Sequence, residues 1–398
     1  MHFKTLRDVD VSGKRVLLRE DLNVPMKDGA IADETRIQAA LPTLRFLHEH
    51  GAKTVILSHL GRPDGKPNSK YSLRPLAARL AELLGTDVRF VEDCIGPAAV
   101  AASNALPDGG FVLFENVRFH AEEEANDPAF AHELAKSGDL YVNDAFGTAH
   151  RAHASTAGVA ADLPAYAGFL MEAELAALSR LTNDPARPFV CAIGGAKVVD
   201  KVGVFENLLA KVDAFVIGGG MANTFLAAQG IEVGKSLRDP DLVPAQRIIA
   251  MSLAQGVALH LPDDAVVADA FDADDTARTV PLDQVGDGMI LDIGPRTARA
   301  YADVLRRAKT IVFNGPMGVY EKPAYQNGTR VVGEAIAEAT KNGAISVIGG
   351  GDAAAAAHAL GFADAVTHVS TGGGATLEFL EGKTLPGVAA LEQSAARS

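Results

Sequence analysis

A chain of 398 residues exceeds what one ordinary hydrophobic core organises, so two or three domains are expected. Hydrophobic residues make up 48% of it and charged residues 22%, which excludes a disordered polymer. The 50 acidic and 37 basic residues leave a formal charge of -13, which argues against nucleic acid or an anionic membrane as partner; an anionic ligand must be held by local basic clusters.

Two cysteines, Cys94 and Cys191, make neither a disulfide framework nor a zinc site, and a reducing compartment is the simplest inference. The first residues, Met-His-Phe-Lys-Thr-Leu-Arg-Asp, lack the apolar core of a signal peptide, and no apolar run reaches the roughly 18 residues of a membrane span. The expectation is a soluble cytoplasmic protein, and a monomer, since no exposed apolar stripe stands out.

In chain order, Arg15–Arg19, Thr54–Ser58, Phe111–Phe114 and Leu140–Asn143 read as buried strands of a parallel sheet, with helices at Arg36–His50 and Leu73–Leu84 between them. Leu170–Thr182 reads as one glycine-free helix ended by the Asn-Asp-Pro turn at 183–185, a stiff connector. The alternation then resumes at Phe189–Ile193, Ala214–Ile217, Ala265–Ala268, Thr310–Phe313 and Ser346–Ile348, giving a second α/β unit of similar size. In the tail, 381–398, Pro386 and Gly387 are expected to break any helix. The acidic run Glu122–Glu124 reads as a solvated face, and Ala353–Ala357 as the start of a helix.

The first half gathers anion-binding residue types behind its strands. Arg19, Asp21 and Asn23 follow the first strand, Arg36 opens a helix, His59 and Arg62 follow the second strand, Arg118 follows another, and His150, Arg151 and His153 follow a fourth. Ligands of open α/β sheets bind at the carboxyl ends of strands, and arginine matches carboxylate and phosphate oxygens with a rigid fork of donors. The set describes a pocket for a small, highly anionic molecule. His150 and His153, three residues apart, also allow a metal reading, but no carboxylate or cysteine set stands beside them.

The second half gathers glycines. Ala192–Lys201 reads as strand, tight turn and helix, with Gly194 and Gly195 at the turn and Lys197 and Lys201 four residues apart on one helix face, where both reach one polyphosphate; two solvated lysines are the plainer alternative. It is neither a Walker A loop nor a dinucleotide-binding Gly-x-Gly-x-x-Gly. Glycine runs at 218–220, 349–351 and 372–374, with Asn314-Gly315-Pro316-Met317-Gly318, outline a nucleotide cradle in which Asp352 is the natural metal-bearing carboxylate.

Several long motifs carry a family resemblance: Arg-x-Asp-x-Asn-Val-Pro at 19–25, Ser-His-Leu-Gly-Arg-Pro at 58–63, Glu-Asn-x-Arg-Phe-His at 115–120, and Asn-Asp-Ala-Phe-Gly-Thr-Ala-His-Arg-Ala-His at 143–153. Gly-Gly-Ala-Lys-Val-x-Asp-Lys at 194–201, Asn-Gly-Pro-Met-Gly-Val-x-Glu at 314–321 and Gly-Gly-Gly-Asp at 349–352, with Ser-Thr-Gly-Gly-Gly-Ala behind it, complete the set. Over essentially its full length the chain resembles phosphoglycerate kinases.

The resemblance implies two doubly wound, Rossmann-like parallel-sheet domains across a cleft: a phosphoglycerate-binding domain at 1–169, a connecting helix at 170–184 and a nucleotide-binding domain at 185–380, with the tail 381–398 returning to the first. It implies reversible phosphoryl transfer between 1,3-bisphosphoglycerate and ADP, giving 3-phosphoglycerate and ATP with Mg²⁺, and domain closure about the helix. Asp21, Asn23, Arg36, His59, Arg62, Arg118 and Arg151 are then expected to hold the phosphoglycerate. Lys197, Lys201, Asn314, Glu321, Gly350, Gly351, Asp352 and Ala353 are expected at the nucleotide, with Glu321 on the ribose and Asp352 on the metal; Arg36, Lys197 and Lys201 are the catalytic set. Three residues depart from the family pattern: Ala353 for a common Ser or Thr, Ile290 for a frequent Gly in the adenine pocket, and Ala173 for a frequent Lys in the connector. A nicotinamide dehydrogenase is set aside because Arg-Glu-Asp-Leu-Asn stands where its glycine loop belongs, and a non-catalytic scaffold because Arg36, Lys201 and Asp352 are all present.

Overall fold

The computed structural model describes residues 2–397, and these divide into two compact units, one reaching Leu175 and taking in the chain again from Thr384, the other Ala176–Lys383. In the first, strands β1 (Arg15–Arg19), β2 (Lys53–Leu57), β3 (Val88–Val91), β4 (Phe111–Phe114), β5 (Leu140–Asn143) and β6 (Ala165–Ala167) form one parallel sheet in the order β3-β4-β2-β1-β5-β6. Val16, Leu17 and Leu18 are all buried, so the sheet is covered on both faces, as a parallel sheet with crossover helices requires. On one face Val16, Leu18, Ile56, Leu113 and Val142 share a core with Ile37 and Leu44 of α1 (Thr35–Glu49) and Leu76 and Leu80 of α2 (Arg74–Leu84). Helices α3 (Gly96–Asn104), α4 (Ala121–Glu124) and α5 (Pro128–Ala135) complete the layers. The winding reverses between β1 and β5, and the loops leaving those strands open the crevice where such sheets bind ligands.

Helix α6 (Phe169–Thr182) passes from one unit to the other, the division falling after Leu175. Its first turn is capped from the first unit. Asp144 Oδ1 accepts from Met171 N at 2.9 Å and Thr43 Oγ1 from Phe169 N at 3.0 Å.

The second unit begins with β7 (Phe189–Ile193), β8 (Ala214–Ile217) and β9 (Ala258–His260). The next three strands, β10 (Asp264–Ala268), β11 (Arg278–Pro281) and β12 (Met289–Ile293), pair antiparallel with each other in the order β11-β10-β12. This corrects the placing of Ala265–Ala268 in the parallel alternation. A short apolar run does not declare its partner, and here the two strands that follow it in sequence pair with it at a smaller loop-closure cost than a crossover. Ala265 and Val267 bury against Val285 in a small separate core.

Strands β13 (Thr310–Asn314), β14 (Ile345–Ile348) and β15 (His368–Val369) complete a parallel sheet ordered β9-β8-β7-β13-β14-β15, whose winding reverses between β7 and β13. Its helices are α7 (Val202–Leu208), α8 (Gly219–Ala228), α9 (Val243–Gln255), α10 (Pro295–Arg306), α11 (Asn327–Lys341), α12 (Gly351–Ala359) and α13 (Gly374–Leu380).

The tail also departs from expectation. Pro386 opens α14 (Pro386–Arg397) instead of breaking it, because the first helical position needs no N–H donor. Gly387 is the close-approach residue: a Cβ there would lie 3.1 Å from Ala149 Cα, and its N–H donates to Ala149 O at 2.8 Å. Ser394 Oγ accepts from Ala165 N at 2.9 Å, so the helix is pinned to the edge strand of the first unit. Among the described residues no helix is long and apolar enough to cross a membrane.

Candidate active site

The loops after β1, β2, β4 and β5 bring one group of cations together. Arg36, at the start of α1, donates from Nη1 to Asp21 Oδ1 (2.8 Å), Asp21 Oδ2 (3.0 Å) and Asn23 O (3.2 Å), which orients the guanidinium and leaves Nε and Nη2 outside that contact. Asn23 Oδ1 accepts from Gly61 N (2.8 Å), and Arg118 Nη1 donates to Gly61 O (2.9 Å), so the loops after β1, β2 and β4 are tied at one glycine. Arg151 Nε lies 3.3 Å from His150 Nε2. Burial, followed by the guanidinium charges of Arg19, Arg118, Arg36 and Arg151, holds the buried His59 well below the usual imidazole value. His153 is driven down to about 3 by burial and by Arg118, Arg19 and Arg151. Both rings are neutral at physiological pH. The metal reading of His150 and His153 gains nothing, since the only triad of metal-ligating side chains among the described residues is Asp93, Cys94 and His120. Arg62 is exposed on the loop following His59.

Two residues read differently from their sequence context. Arg19 is fully buried, with Nε on Ser155 Oγ (2.8 Å), Nη1 on Glu20 O and Nη2 at His59 Nδ1 (3.2 Å); its donors are taken up inside the protein, so it supports the site from behind. Glu123, placed on a solvated face by its run of acidic neighbours, is also fully buried; its Oε1 accepts from Ser155 Oγ (2.6 Å) and its Oε2 from Ser155 N (2.8 Å). Burial raises its carboxyl above the ordinary range, and Arg19 and Ser155 oppose that. Only Glu122 and Glu124 face solvent.

In the second unit Gly194–Val198 is an irregular turn, a 3-10 turn covers Val199–Lys201, and α7 begins at Val202. Lys197 and Lys201 therefore do not share a helix face. Two forces keep the segment from running straight into a helix: Asp239 takes the N–H groups of Val198 (2.7 Å) and Val199 (3.3 Å), and Lys201 itself leaves the helical region at φ -130°. The turn also packs backbone on backbone. A Cβ on Gly194 would stand 2.0 Å from Pro316 O, and one on Gly315, at φ +107°, would stand 2.4 Å from Gly194 O.

Lys201 Nζ folds back to donate to Gly194 O (2.8 Å) and Asn314 O (2.7 Å), and burial lowers its pKa to about 8. Asn314 Nδ2 donates to Gly349 O (2.7 Å), while its Oδ1 is buried without a partner. Lys197, Lys201, Asn314, Gly350, Gly351, Asp352 and Ala353 line one cavity of about 340 Å³. Its floor is glycine backbone from the ends of β7, β13 and β14, and α12 points its N-terminus there, so N–H donors and two ammonium groups meet in a space suited to a polyphosphate.

A second cavity of about 300 Å³ shares Gly195, Ala196 and Asp352 with the first and is otherwise largely apolar. Leu237, Phe271, Met289, Ile290, Met317 and Tyr320 line it, with Glu321 among the lining residues. Sequence reasoning found Ile290 and Glu321, and Met317 and Tyr320 fall within the 314–321 motif; it missed Leu237, Phe271 and Met289, which share no motif. Lys322 holds the Phe271 loop in place, donating to Phe271 O at 2.6 Å. Asp292 also lines this cavity; burial pushes its carboxyl up to about 8 although Gly328 N (2.7 Å) and Ile293 N (2.9 Å) donate to it. A lone Asp in the apolar run Met-Ile-Leu-Asp-Ile was the signal available for it.

The Asp352 carboxylate stands where the glycine-lined and apolar cavities join, and it is exposed. A hard, ionised oxygen donor beside a phosphate-shaped cavity fits a Mg²⁺ that keeps most of its ligands from phosphates and water.

Comparison with known proteins agrees over the whole chain. The family model described as phosphoglycerate kinase matches residues 6–383. A phosphoglycerate kinase of Chloroflexus aurantiacus is 57% identical over 399 residues, spanning 99% of this chain and 100% of that protein, and one of Moorella thermoacetica is 54% identical over 98% and 99%. The solved structure of phosphoglycerate kinase from Coxiella burnetii superimposes with a TM-score of 0.90 at 44% identity, covering 98% of this chain and 99% of that one. With the match spanning both units and both sets of strand-end motifs, the chain belongs to the phosphoglycerate kinase family.

Proposed function

We propose that the first unit binds 3-phosphoglycerate or 1,3-bisphosphoglycerate, the second binds ADP or ATP with Mg²⁺, and the chain transfers the phosphoryl group reversibly between them, a step of glycolysis and gluconeogenesis. The family supports the reaction. The observation that carries the residue assignment is the joined pair of cavities: a glycine-floored space with two lysines suits phosphates, and the apolar space beside it, with Glu321 available to a ribose, suits a nucleoside. Asp21, Asn23, Arg36, His59, Arg62, Arg118 and Arg151 are assigned to the triose; Lys197, Lys201, Asn314, Glu321, Gly350, Gly351, Asp352 and Ala353 to the nucleotide.

The chemistry asks for positioning and charge rather than for a base. The accepting oxygen belongs to a carboxylate already ionised near neutral pH, and the transferring group spreads negative charge over three equatorial oxygens. Neutral His59 and His153 are consistent with a site in which no imidazole takes a proton. Arg36, braced by Asp21, meets the transferring group from the triose side; Lys201, held by two carbonyls, meets it from the nucleotide side. Lys197, exposed at the rim, gathers the outer phosphates. Bound through Asp352, Mg²⁺ would neutralise phosphate charge. Because the two ligand sets lie on separate units, transfer requires closure about α6, which also keeps water from the acyl phosphate. Two buried free thiols support a reducing, cytoplasmic setting; we take the working form to be a monomer.

The test is a coupled assay of ADP formation from ATP and 3-phosphoglycerate, run with Mg²⁺ and again with excess chelator. Metal-dependent turnover is expected. Nucleotide binding without turnover would overturn the kinase reading.

A further inference from the structure

We propose that Glu123, Ser155 and Arg19 form a positioning relay that holds His59 as its neutral Nε2–H tautomer, so that this ring offers an N–H donor to an anionic substrate. The functional half of this inference rests on the assignment of His59 to the triose.

The direction of every hydrogen bond in the relay follows from what each group can do. A carboxylate only accepts, so the Ser155 hydroxyl proton points to Glu123 Oε1 at 2.6 Å, while Ser155 N donates to Oε2 at 2.8 Å. That leaves a lone pair of Ser155 Oγ for Arg19 Nε–H at 2.8 Å. A guanidinium only donates, so the 3.2 Å contact from Arg19 Nη2 makes His59 Nδ1 an acceptor. The ring proton of a neutral imidazole must then sit on Nε2. Ring protonation on both nitrogens is opposed by burial and by the guanidinium charges of Arg19, Arg118, Arg36 and Arg151, the charged groups that act on His59 from the loops and helix around it.

The relay is rigid because each member is held elsewhere as well. Arg19 also donates to Glu20 O, and Tyr141 Oη donates to Ser155 O at 2.7 Å, fixing the peptide from which the hydroxyl hangs. Arg19, Glu123 and Ser155 are fully buried, so no solvent competes for these contacts. Without the relay a neutral imidazole adopts either tautomer, and the Nδ1–H form turns a lone pair instead of a donor toward whatever faces Nε2. An anion is repelled by that lone pair. Arg19 thus acts on substrate only through His59, and Glu123, one link further back, supplies the charge that keeps Arg19 in place.

The experiment uses the full-length chain labelled with ¹⁵N, with long-range ¹H–¹⁵N correlation of the histidine rings and His59→Asn to assign His59. The parent is expected to show one His59 tautomer with the proton on Nε2. Ser155→Ala, which removes one buried oxygen, is expected to give a mixture of tautomers and to raise KM for 3-phosphoglycerate about tenfold with kcat within about twofold. Arg19→Lys keeps the charge but loses the fork and is expected to do the same; should it fail to fold, Ser155→Ala carries the test alone. A parent His59 protonated on Nδ1, or a Ser155→Ala variant with unchanged tautomer and KM, overturns the relay. If His59 is locked as proposed but its resonances ignore added 3-phosphoglycerate, the relay stands and the substrate assignment beneath its function is refuted.

Discussion

Lys201→Met separates what a buried lysine does for the fold from what it does for the reaction. In the ligand-free chain the ammonium has two partners, Gly194 O at 2.8 Å and Asn314 O at 2.7 Å, but burial lowers its pKa from 10.5 to about 8. Keeping it charged at neutral pH therefore costs on the order of 3 kcal/mol relative to the unfolded chain. Methionine of similar length removes that cost and leaves two carbonyls without a donor, at about 1–3 kcal/mol each. The two effects nearly offset, so the ligand-free variant should melt within a few degrees of the parent. The linkage has a definite sign. A base whose folded pKa is depressed binds its proton less tightly when folded, so the parent gains stability as pH rises from about 8 toward 10.5, a gain that Lys201→Met lacks. Catalysis has no such compensation: losing the cation at the transferring group should lower kcat by about 10²–10³, or about 2.7–4 kcal/mol. The assay pairs ATP and 3-phosphoglycerate turnover with thermal melts of the ligand-free proteins at pH 7 and pH 9.5. A large fall in melting temperature with kcat little changed would refute the reasoning, since Lys201 would then be a structural lysine.

Asp352→Asn should weaken binding of ADP measured by calorimetry in Mg²⁺ by about tenfold or more while leaving metal-free ADP affinity equal or better, because only the metal-bearing charge is lost. Arg36→Met should lower kcat/KM about a hundredfold and leave nucleotide affinity untouched, read from steady-state kinetics with either substrate varied; a matching loss of nucleotide affinity would count against the assignment of Arg36 to the triose. Ile290→Ala opens the apolar cavity and should raise KM for ATP severalfold with KM for 3-phosphoglycerate unchanged. Asp144 is fully buried beside Glu20, and burial raises its carboxyl to about 6, so its contribution to stability is fully present below 3.8 and is lost as pH rises through about 6. Denaturant melts of Asp144→Asn and parent should thus shift in favour of the variant between pH 4 and pH 8, by on the order of 2 kcal/mol; a pH-independent difference would show that folded Asp144 titrates like an ordinary carboxyl and that burial does not raise it.

What was legible in the chain, and what was not, divides along a physical line. His59, Arg118 and Arg151 lie in the loops that follow apolar runs, and a strand end in an open α/β sheet points its next residues at the crevice, so their convergence could be read from position, whereas Arg36 was placed by its position at the start of a helix. Lys197 and Lys201 were grouped correctly for a reason that does not hold: they reach one cavity because the turn folds back on itself, held by Asp239 some forty residues away, and helical spacing plays no part. The antiparallel β10–β12 sheet was missed because four apolar residues in a row satisfy either kind of pairing.

Glu123 is the harder case. Three glutamates in a row carry no sign that the middle one is enclosed, since periodicity detects apolar faces, and a buried charge looks like a surface charge until its partner is known. Its partner Ser155 is 32 residues on, in a motif whose histidines and arginine draw the eye first. Burying a carboxylate is tolerable only where cationic charge and donors converge on it, and in this unit that cation is Arg19, also enclosed and on the central strand. Two buried charges of opposite sign, joined through one hydroxyl, each make the other affordable, so the apparent oddity of an arginine in the middle of the core and a glutamate under an acidic run is a single feature. Removing the hydroxyl between them leaves both charges in place and severs only the link, and Ser155 is for that reason the residue at which structure and substrate binding can be pulled apart.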